Sequence, residues 1–379
     1  MIYLDHNATT PIAPPVLEAM LPFLREQFGN ASSRHDLGTV ARRAVEQARE
    51  QVAAAVGVQP AQVVFTSGGT EANNLLVKGA AAARAPAQVA VSAIEHPCVL
   101  EPALQLRRQG WTVAEIGVDA EGVVRSDALA AALRVPTGIV SVMLANNETG
   151  AIQPVAALAE QARAAKAVMH TDAVQAFGKI PVLFNELNVQ AMSLSSHKIY
   201  GPKGAGALVV DKRLDLQPLL AGGGHERGMR SGTENVAAIV GFGAAAELAM
   251  QVLDAERERL TPLQARLEAG LSQRGGRIFG AGAPRLANTT YFAFPDVEGE
   301  TLVIQMDGAG FAAASGAACS SHHSGPSRVL LAMGVDAALA GRAVRISLGR
   351  ANDAAQINAF LAALDQVLGR LQRMAAIAA

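Results

Sequence analysis

The stretch Ser195-Ser196-His197-Lys198-Ile199-Tyr200-Gly201-Pro202-Lys203-Gly204 decides how the chain is read. It follows the apolar run Ala191-Met192-Ser193-Leu194, which reads as a short buried strand. A loop bounded by Gly and Pro then leads into a second strand at Gly206–Val210. A lysine just past a strand end, beside a histidine and two serines, sits where loops carry sites. In a dry pocket such an amine sheds its charge and becomes nucleophilic. In a solvated turn it is an ordinary surface lysine. The stretch alone supports both readings.

Working outward, strand and helix patterns alternate. Strands are read at Val63–Thr66, 88–93, Thr112–Ile116, 139–144 and 167–170, with helices over 72–84, from Pro97, and over 155–166. Upstream, residues 1–14 read as extended and 16–27 as a helix, and Ser32 or Ser33 is placed to cap a helix running to about Val56. Repeated strand–helix–strand units predict a mostly parallel α/β sheet covered on both faces. Downstream, 236–253 reads as a buried helix in which Gly241 and Gly243 suit close packing. The charged stretch 254–259 reads as a long solvated helix and as the crossing into a second unit, with strands near 288–294 and 343–347 and helices near 299–309, 326–333 and 354–373.

Bulk properties narrow the function classes. A chain of 379 residues exceeds one ordinary core, so two domains are expected. A net charge of −1 gives no pull toward nucleic acid or an anionic membrane. Two cysteines, Cys98 and Cys319, make no disulfide framework and point to a reducing, cytoplasmic setting. The opening residues show no signal peptide, and Glu247 and Gln251 interrupt the longest apolar run, so no membrane span is expected.

The predicted strand ends gather the chemistry. Ser67-Gly68-Gly69-Thr70 lies at a strand-to-helix turn, where backbone N–H groups and the helix N-terminus favour an anion such as phosphate. Asp172 ends an apolar strand and reads either as a helix cap or as the partner of a protonated ring nitrogen. It precedes Lys198 by 26 residues, which matches the lysine-and-carboxylate arrangement that holds pyridoxal phosphate. His96, at a neighbouring strand end, is placed to lie over a planar ring. The run 222–235, dense in Gly and cations, reads as an anion-binding or interface loop. Cys319 sits in the small-residue loop 315–325 with His322 and His323 nearby, a setting that can favour thiolate. Adjacent histidines rarely converge on one ion, so no metal site is assigned. Arg345, a charge inside an apolar strand pattern, suits either a substrate carboxylate or a structural ion pair.

These motifs, together with Tyr3-Leu4-Asp5-His6-Asn7-Ala8-Thr9-Thr10-Pro11, Asn146-Asn147-Glu148 and 345–350, resemble those of the pyridoxal-phosphate-dependent cysteine desulfurases of the nitrogen-fixation and iron–sulfur-assembly type. The resemblance runs nearly end to end. It implies an α/β, fold type I, aspartate-aminotransferase-like architecture. A large cofactor domain with a mostly parallel seven-stranded sheet would span 15–253, and a smaller α+β domain would be built from 1–14 and 254–379. It also implies roles. Lys198 carries pyridoxal 5′-phosphate, Asp172 meets its ring nitrogen and Gln175 its ring hydroxyl, and His96 stacks on the ring. Gly69, Thr70, Ser195 and His197 take the phosphate, with Thr233 reaching in from the other subunit of a homodimer. Asn30, Asn147 and Arg345 hold the substrate carboxylate, Asn147 also touching the cofactor. Cys319 takes sulfur from L-cysteine as a persulfide, leaving L-alanine, and delivers it to an acceptor protein for cofactor assembly. A selenocysteine lyase, a small aminotransferase, a specialised sulfur donor or a non-catalytic sulfur carrier are the competing readings. The segment Ser320-Ser321-His322-His323 departs from the family's Thr-Ser type, and the chain lacks the longer tail of housekeeping members.

Overall fold

The structure is a computed structural model that describes residues 1–315 and 325–378. Cys319, His322 and His323 lie outside the described residues, as does what was read into them. In chain order, β1 (Ile2–Tyr3) precedes α1 (Pro14–Arg25) and α2 (Asp36–Ala55). Then come β2 (Val63–Thr66), α3 (Gly69–Ala82), β3 (Gln88–Ser92), α4 (Pro97–Gln105), β4 (Thr112–Ile116) and α5 (Ser126–Ala132). The alternation continues with β5 (Thr137–Ser141), α6 (Val155–Ala164), β6 (Val168–Asp172), β7 (Ala191–Ser195) and β8 (Gly206–Val210). Helix α7 (Val236–Gln273) leads to β9 (Arg277–Phe279), β10 (Thr289–Ala293), α8 (Gly299–Gly308), β11 (Phe311–Ala312) and β12 (Ala314–Ser315). Last are α9 (Arg328–Ala332), α10 (Ala337–Gly341), β13 (Val344–Ser347) and α11 (Ala354–Ala378).

Seven strands form one sheet in the order β2-β8-β7-β6-β5-β3-β4. Strand β8 runs antiparallel to both neighbours and every other neighbouring pair is parallel. Apart from the partly exposed edge strand β4, the strands are buried on both faces, so their side chains divide between two cores. Val63 and Phe65 of β2 join the core with α1, α2, α6 and α7, while Val64 joins the core with α3 and α4. The expected strands and helices appear within a few residues of their predicted ends, except that the stretches 236–253 and 254–259 belong to one longer helix, α7. Helix α2 differs at its start: His35 caps it, its ring accepting the Gly38 N–H at 3.3 Å. Ser32 is occupied elsewhere, its N–H bonded to Asn30 Oδ1 at 2.9 Å. Strands β1, β9, β11 and β12, each two or three residues long, were not legible because tertiary pairing alone defines them.

Helix α7 carries the chain from one core to the next. Its first half packs tightly because Gly243 has no Cβ, which would stand 2.7 Å from the Ala48 Cα, and Gly241 likewise admits Met20. Its second half turns Leu260, Leu263, Leu267 and Leu271 onto a third core. The charged stretch 254–259 is helical as expected, and it is continuous with 236–253 in one 38-residue helix. The pairs Arg257–Asp254 and Arg259–Glu256, at 3.6 and 3.0 Å, support its exposed face. An 18-residue window of α7 is apolar enough to cross a bilayer by composition, and half of it is buried in the protein. The third core lies under a four-stranded antiparallel sheet, β12-β13-β10-β9, with α8 and α11. The N-terminus joins this region: β1 pairs in parallel with β11, and Asp5 bridges to Ser347.

The loop 222–235 is tied to the large sheet by a buried ion pair. Arg49 donates to both oxygens of Glu226 at 2.7 and 2.8 Å, and the Phe65 N–H donates to Glu226 Oε2 at 2.8 Å. The loop's other cations are also engaged, Arg230 with Glu71 at 2.8 Å and Arg227 with the Val63 carbonyl at 2.6 Å. Removing one partner strands the other charge in the interior. Glu226→Ala is expected to cost about 3–5 kcal/mol in chemical denaturation. A loss below about 1 kcal/mol, the range of an exposed pair, would contradict this account.

Candidate active site

A cavity of about 260 Å³ opens at the carboxyl ends of β6 and β7 and at the start of α3. Gly69, Thr70, His96, Asn147, Asp172, Gln175, Ser195, His197 and Lys198 all line it, beside Asn73, Cys98, Met143 and Val174. Most of the predicted cofactor residues thus converge from five separate stretches of chain. Gly69 belongs there for steric reasons: a Cβ would stand 2.7 Å from Val174 Cγ2 and 3.7 Å from Ser195 Cβ. Ser195 Oγ is buried without a hydrogen-bond partner among the described residues, facing the end of α3 that favours anions.

Lys198 ends a short turn after β7, and its Nζ donates to the carbonyls of Asn7 and Ala8 at 2.6 and 2.7 Å. Asp172 closes β6 and is buried. Asn73 Nδ2 donates to its Oδ2 at 2.6 Å and the Val174 N–H to its Oδ1 at 2.9 Å, both neutral donors. Burial pushes its carboxyl above the usual range, opposed by the Val174 N–H, His96, Asn73 and Lys198. His96 caps α4, Nδ1 accepting the Cys98 N–H at 3.1 Å. Burial lowers its pKa, with Asp172 opposing and Lys198 adding. His197 faces Thr9 Oγ1 at 3.2 Å, and burial, reinforced by Lys198 and Lys203, pushes it down to about 4. Gln175 donates from Nε2 to the Asn7 carbonyl at 3.0 Å and accepts from Lys179 Nζ at 2.8 Å.

The remaining predicted residues stand apart from the cavity wall. Arg345 on β13 reaches its edge, donating to the Asn147 carbonyl at 3.0 Å and pairing with Asp5 at 2.7 Å. Asn30 is exposed in the loop before α2. Thr233 is exposed too and lines a separate depression of about 170 Å³ with Ser67, Gly204 and Arg230. Asn73 and Cys98 escaped sequence reasoning, though each had a signal. Asn73 lies one helical turn past Gly69, and Cys98 lies in the helical turn opened by His96. Among the described residues, no cluster of three His, Cys, Asp or Glu side chains is arranged to hold a metal ion.

Comparison with known proteins places the chain in company. The family model for aminotransferase class-V matches residues 2–360. The chain is 43% identical over 375 residues to the cysteine desulfurase IscS of Dictyoglomus turgidum, covering 98% of this chain and 95% of that one. It is 45% identical over 378 residues to a cysteine desulfurase of Gluconacetobacter diazotrophicus, covering 98% and 94%. Among solved structures, a NifS-like protein superposes with a TM-score of 0.91 at 37% identity, covering 97% of this chain and 99% of that one.

Glu95, behind the cavity, gives the site a pH signature. Its Oε1 accepts from Ser92 Oγ and the Met143 N–H, both at 2.6 Å. Burial, with Asp172 adding, pushes the carboxyl up to about 8 against those donors. The folded chain therefore keeps a proton that the unfolded chain releases above its ordinary pKa of 4.5. That stabilisation is complete below pH 4.5 and fades as pH rises toward 8. Glu95→Gln cannot titrate, so its stability relative to the parent should rise between pH 6 and 8, by up to about 1.4 kcal/mol per unit. A difference in unfolding free energy that stays flat over that range would count against the buried proton.

Proposed function

We infer the working roles of these residues from one premise: the chain belongs to the class-V aminotransferase family and is a cysteine desulfurase. Enzymes of this family work with pyridoxal 5′-phosphate. We propose that the cavity holds that group. The observation that carries the proposal is Lys198 facing, across one cavity, a buried Asp172 whose hydrogen-bond donors among the described residues, Asn73 and the Val174 N–H, are neutral. Such a carboxylate is suited to a cationic ring nitrogen. The cradle of Gly69, Thr70, Ser195 and His197 suits a phosphate, Ser195 Oγ offering an unspent hydroxyl. When bound, the cofactor supplies an electron sink for the substrate's α-carbon.

The chain's own groups do the rest. Lys198 anchors the cofactor at rest and, once released, removes the α-proton from L-cysteine at Nζ. Its position on the Asn7 and Ala8 carbonyls gives the freed amine a fixed seat. Gln175 takes the ring hydroxyl, and His96 covers the ring and moves a proton. Arg345, with Asn147 and Asn30, binds the substrate carboxylate; its pairing with Asp5 is the geometry such a carboxylate would need. Thr233 completes the phosphate site of a second copy in a homodimer. Residues 15–253 then act as the cofactor domain, and 1–14 with 254–379 as the domain bearing Arg345 and Cys319.

Cys319 is the nucleophile. The sequence has two cysteines, and the cavity's own, Cys98, is unsuited to attack. Burial and the Asp172 and Glu95 carboxylates raise its thiol pKa, so it stays protonated near neutral pH. Cys319 Sγ forms a bond to the substrate sulfur as the Cβ–S bond breaks, its electron pair left on carbon. Protons delivered to carbon complete L-alanine, and the persulfide passes its terminal sulfur to an acceptor protein in the cytoplasm for iron–sulfur or other sulfur-containing cofactor assembly.

Mass spectrometry of enzyme treated with cysteine should find about +32 Da on the Cys319 peptide. Cys319→Ala should form neither that adduct nor sulfide above background; full sulfide release by this variant would overturn the assignment. Lys198→Ala should lose the borohydride-reducible link to pyridoxal phosphate. A reducible adduct that persists at another lysine would move the anchor.

A further inference from the structure

The two oxygens of Asp172 are held from different elements. Oδ1 accepts the Val174 N–H at 2.9 Å, in the turn after β6. Oδ2 accepts from Asn73 Nδ2 on α3 at 2.6 Å, and the same nitrogen donates to Cys98 Sγ at 3.0 Å. The opposite amide orientation would set a carbonyl oxygen against the carboxylate, so the amide donor faces Asp172. One bond to Oδ1 leaves a broad range of the carboxyl torsion open, and the second bond, to Oδ2, sets its plane. Asn73 has no exposed surface, and every other buried residue of α3 is apolar or glycine. Its Oδ1 is buried without a hydrogen-bond partner among the described residues. Such a carbonyl costs stability, so packing does not account for an asparagine at this place.

We propose that Asn73 is the positioning residue of Asp172: its amide sets the plane of the carboxyl group and holds it ionised, so that a proton shared with the cofactor's ring nitrogen stays on the ring. The catalytic part rests on the reading of this cavity as a pyridoxal-phosphate site, but the effect on the carboxyl group does not. Burial favours the protonated acid, and Glu95 behind the cavity and the Cys98 thiol beside it supply no cation. Against burial stand the Val174 N–H, His96, Asn73 and Lys198. Of these, the Asn73 amide is the side chain seen in direct hydrogen bond to the carboxylate. A short bond from a neutral donor favours the ionised form without neutralising it. Two groups that share one proton divide it by their relative affinities. Without the Asn73 donor the balance moves toward Asp172, and a ring that loses its proton is a weaker electron sink. Asn73 thus acts on the chemistry through Asp172 and need not touch the substrate.

Two NMR signals test this. The first is the ring nitrogen of 15N-labelled pyridoxal phosphate in the holoenzyme, which should report a protonated ring in the parent at neutral pH. The second is the Asp172 carboxyl carbon in the full chain before cofactor is added, assigned by its loss in Asp172→Asn. Asn73→Leu fills the space without a donor. It should raise the pH at which Asp172 titrates, move the ring-nitrogen signal toward the unprotonated position, and lower kcat for alanine formation about tenfold, the worth of roughly one hydrogen bond. Asn73→Ala should do the same, because the two variants differ in volume and share the loss of the donor; it also carries the comparison should the leucine variant fail to fold. Parent-like signals at both nuclei in the donor-free variants overturn the proposal. So does a lower kcat with parent-like signals, which would make the position one of packing alone. A shifted Asp172 titration with an unchanged ring nitrogen and kcat overturns the catalytic part. If the parent binds no pyridoxal phosphate, the functional reading fails, and the carboxyl titration still judges the role of Asn73.

Discussion

The structure depends on how one buried asparagine is satisfied. Asn7 lies in the N-terminal strap with 1% of its surface exposed. Its backbone N–H donates to Ser347 Oγ at 2.8 Å, and its Nδ2 to Thr289 Oγ1 at 2.9 Å and the Asn147 carbonyl at 3.2 Å. Its Oδ1 accepts from Lys179 at 2.8 Å and Asn288 at 3.0 Å, and its carbonyl from Lys198 at 2.6 Å and Gln175 at 3.0 Å. Every donor and lone pair of the residue is used. The partners come from the cavity wall and from the antiparallel sheet. Asn7 therefore fixes the distance between Lys198 and the sheet that carries Arg345. A network satisfied this fully is costly to disturb at any member.

The same strap organises charge. Lys198 and Lys179 both end on it, and Arg345 pairs with Asp5, two residues before Asn7. Burial and the neighbouring cations Lys198 and Arg345 hold Lys179 well below an ordinary lysine. Opposite them stand Asp172, Glu95 and Glu148, each buried and each pushed up by that burial. Glu148 accepts from Ser327 Oγ at 2.5 Å, the residue that caps α9, so the carboxylate also joins the Asn146–Gly150 turn to the small sheet's neighbourhood. Around the cavity, Lys179 has a weakened affinity for protons and Asp172, Glu95 and Glu148 a strengthened one. That arrangement is suited to passing protons at neutral pH, and it follows from desolvation more than from any single ion pair.

Much of this was written in the chain. The buried strands of the large sheet announced themselves as apolar runs of four to six residues, and the residues just past them are the cavity wall. What periodicity could not deliver was anything set by distant pairing. The strap reads as fourteen extended residues, yet its parallel bridge to β11 joins positions more than three hundred residues apart. The charged middle of α7 reads as a solvated helix from its composition, but its continuity with 236–253 is set by the two cores that its halves pack against. Asn73 and Cys98 were invisible for a related reason. Each is an ordinary residue in the first turns of a helix, and joins the cavity wall only when the sheet sets the end of β6, with Asp172, beside α3 and α4.

The two cysteines show how far environment outweighs residue type. Sulfur transfer needs a thiolate, and a thiolate needs cations or donors around it. Cys98 has two carboxylates, deep burial and an imidazole already occupied by a backbone N–H. Each of these favours the protonated form, so a thiol lining the cavity does not compete for the substrate's sulfur. On the proposed roles, a sulfur atom stands against His96 while the persulfide is assigned to Cys319. Position in the cavity alone would favour Cys98; its raised proton affinity argues against it as the proposed nucleophile.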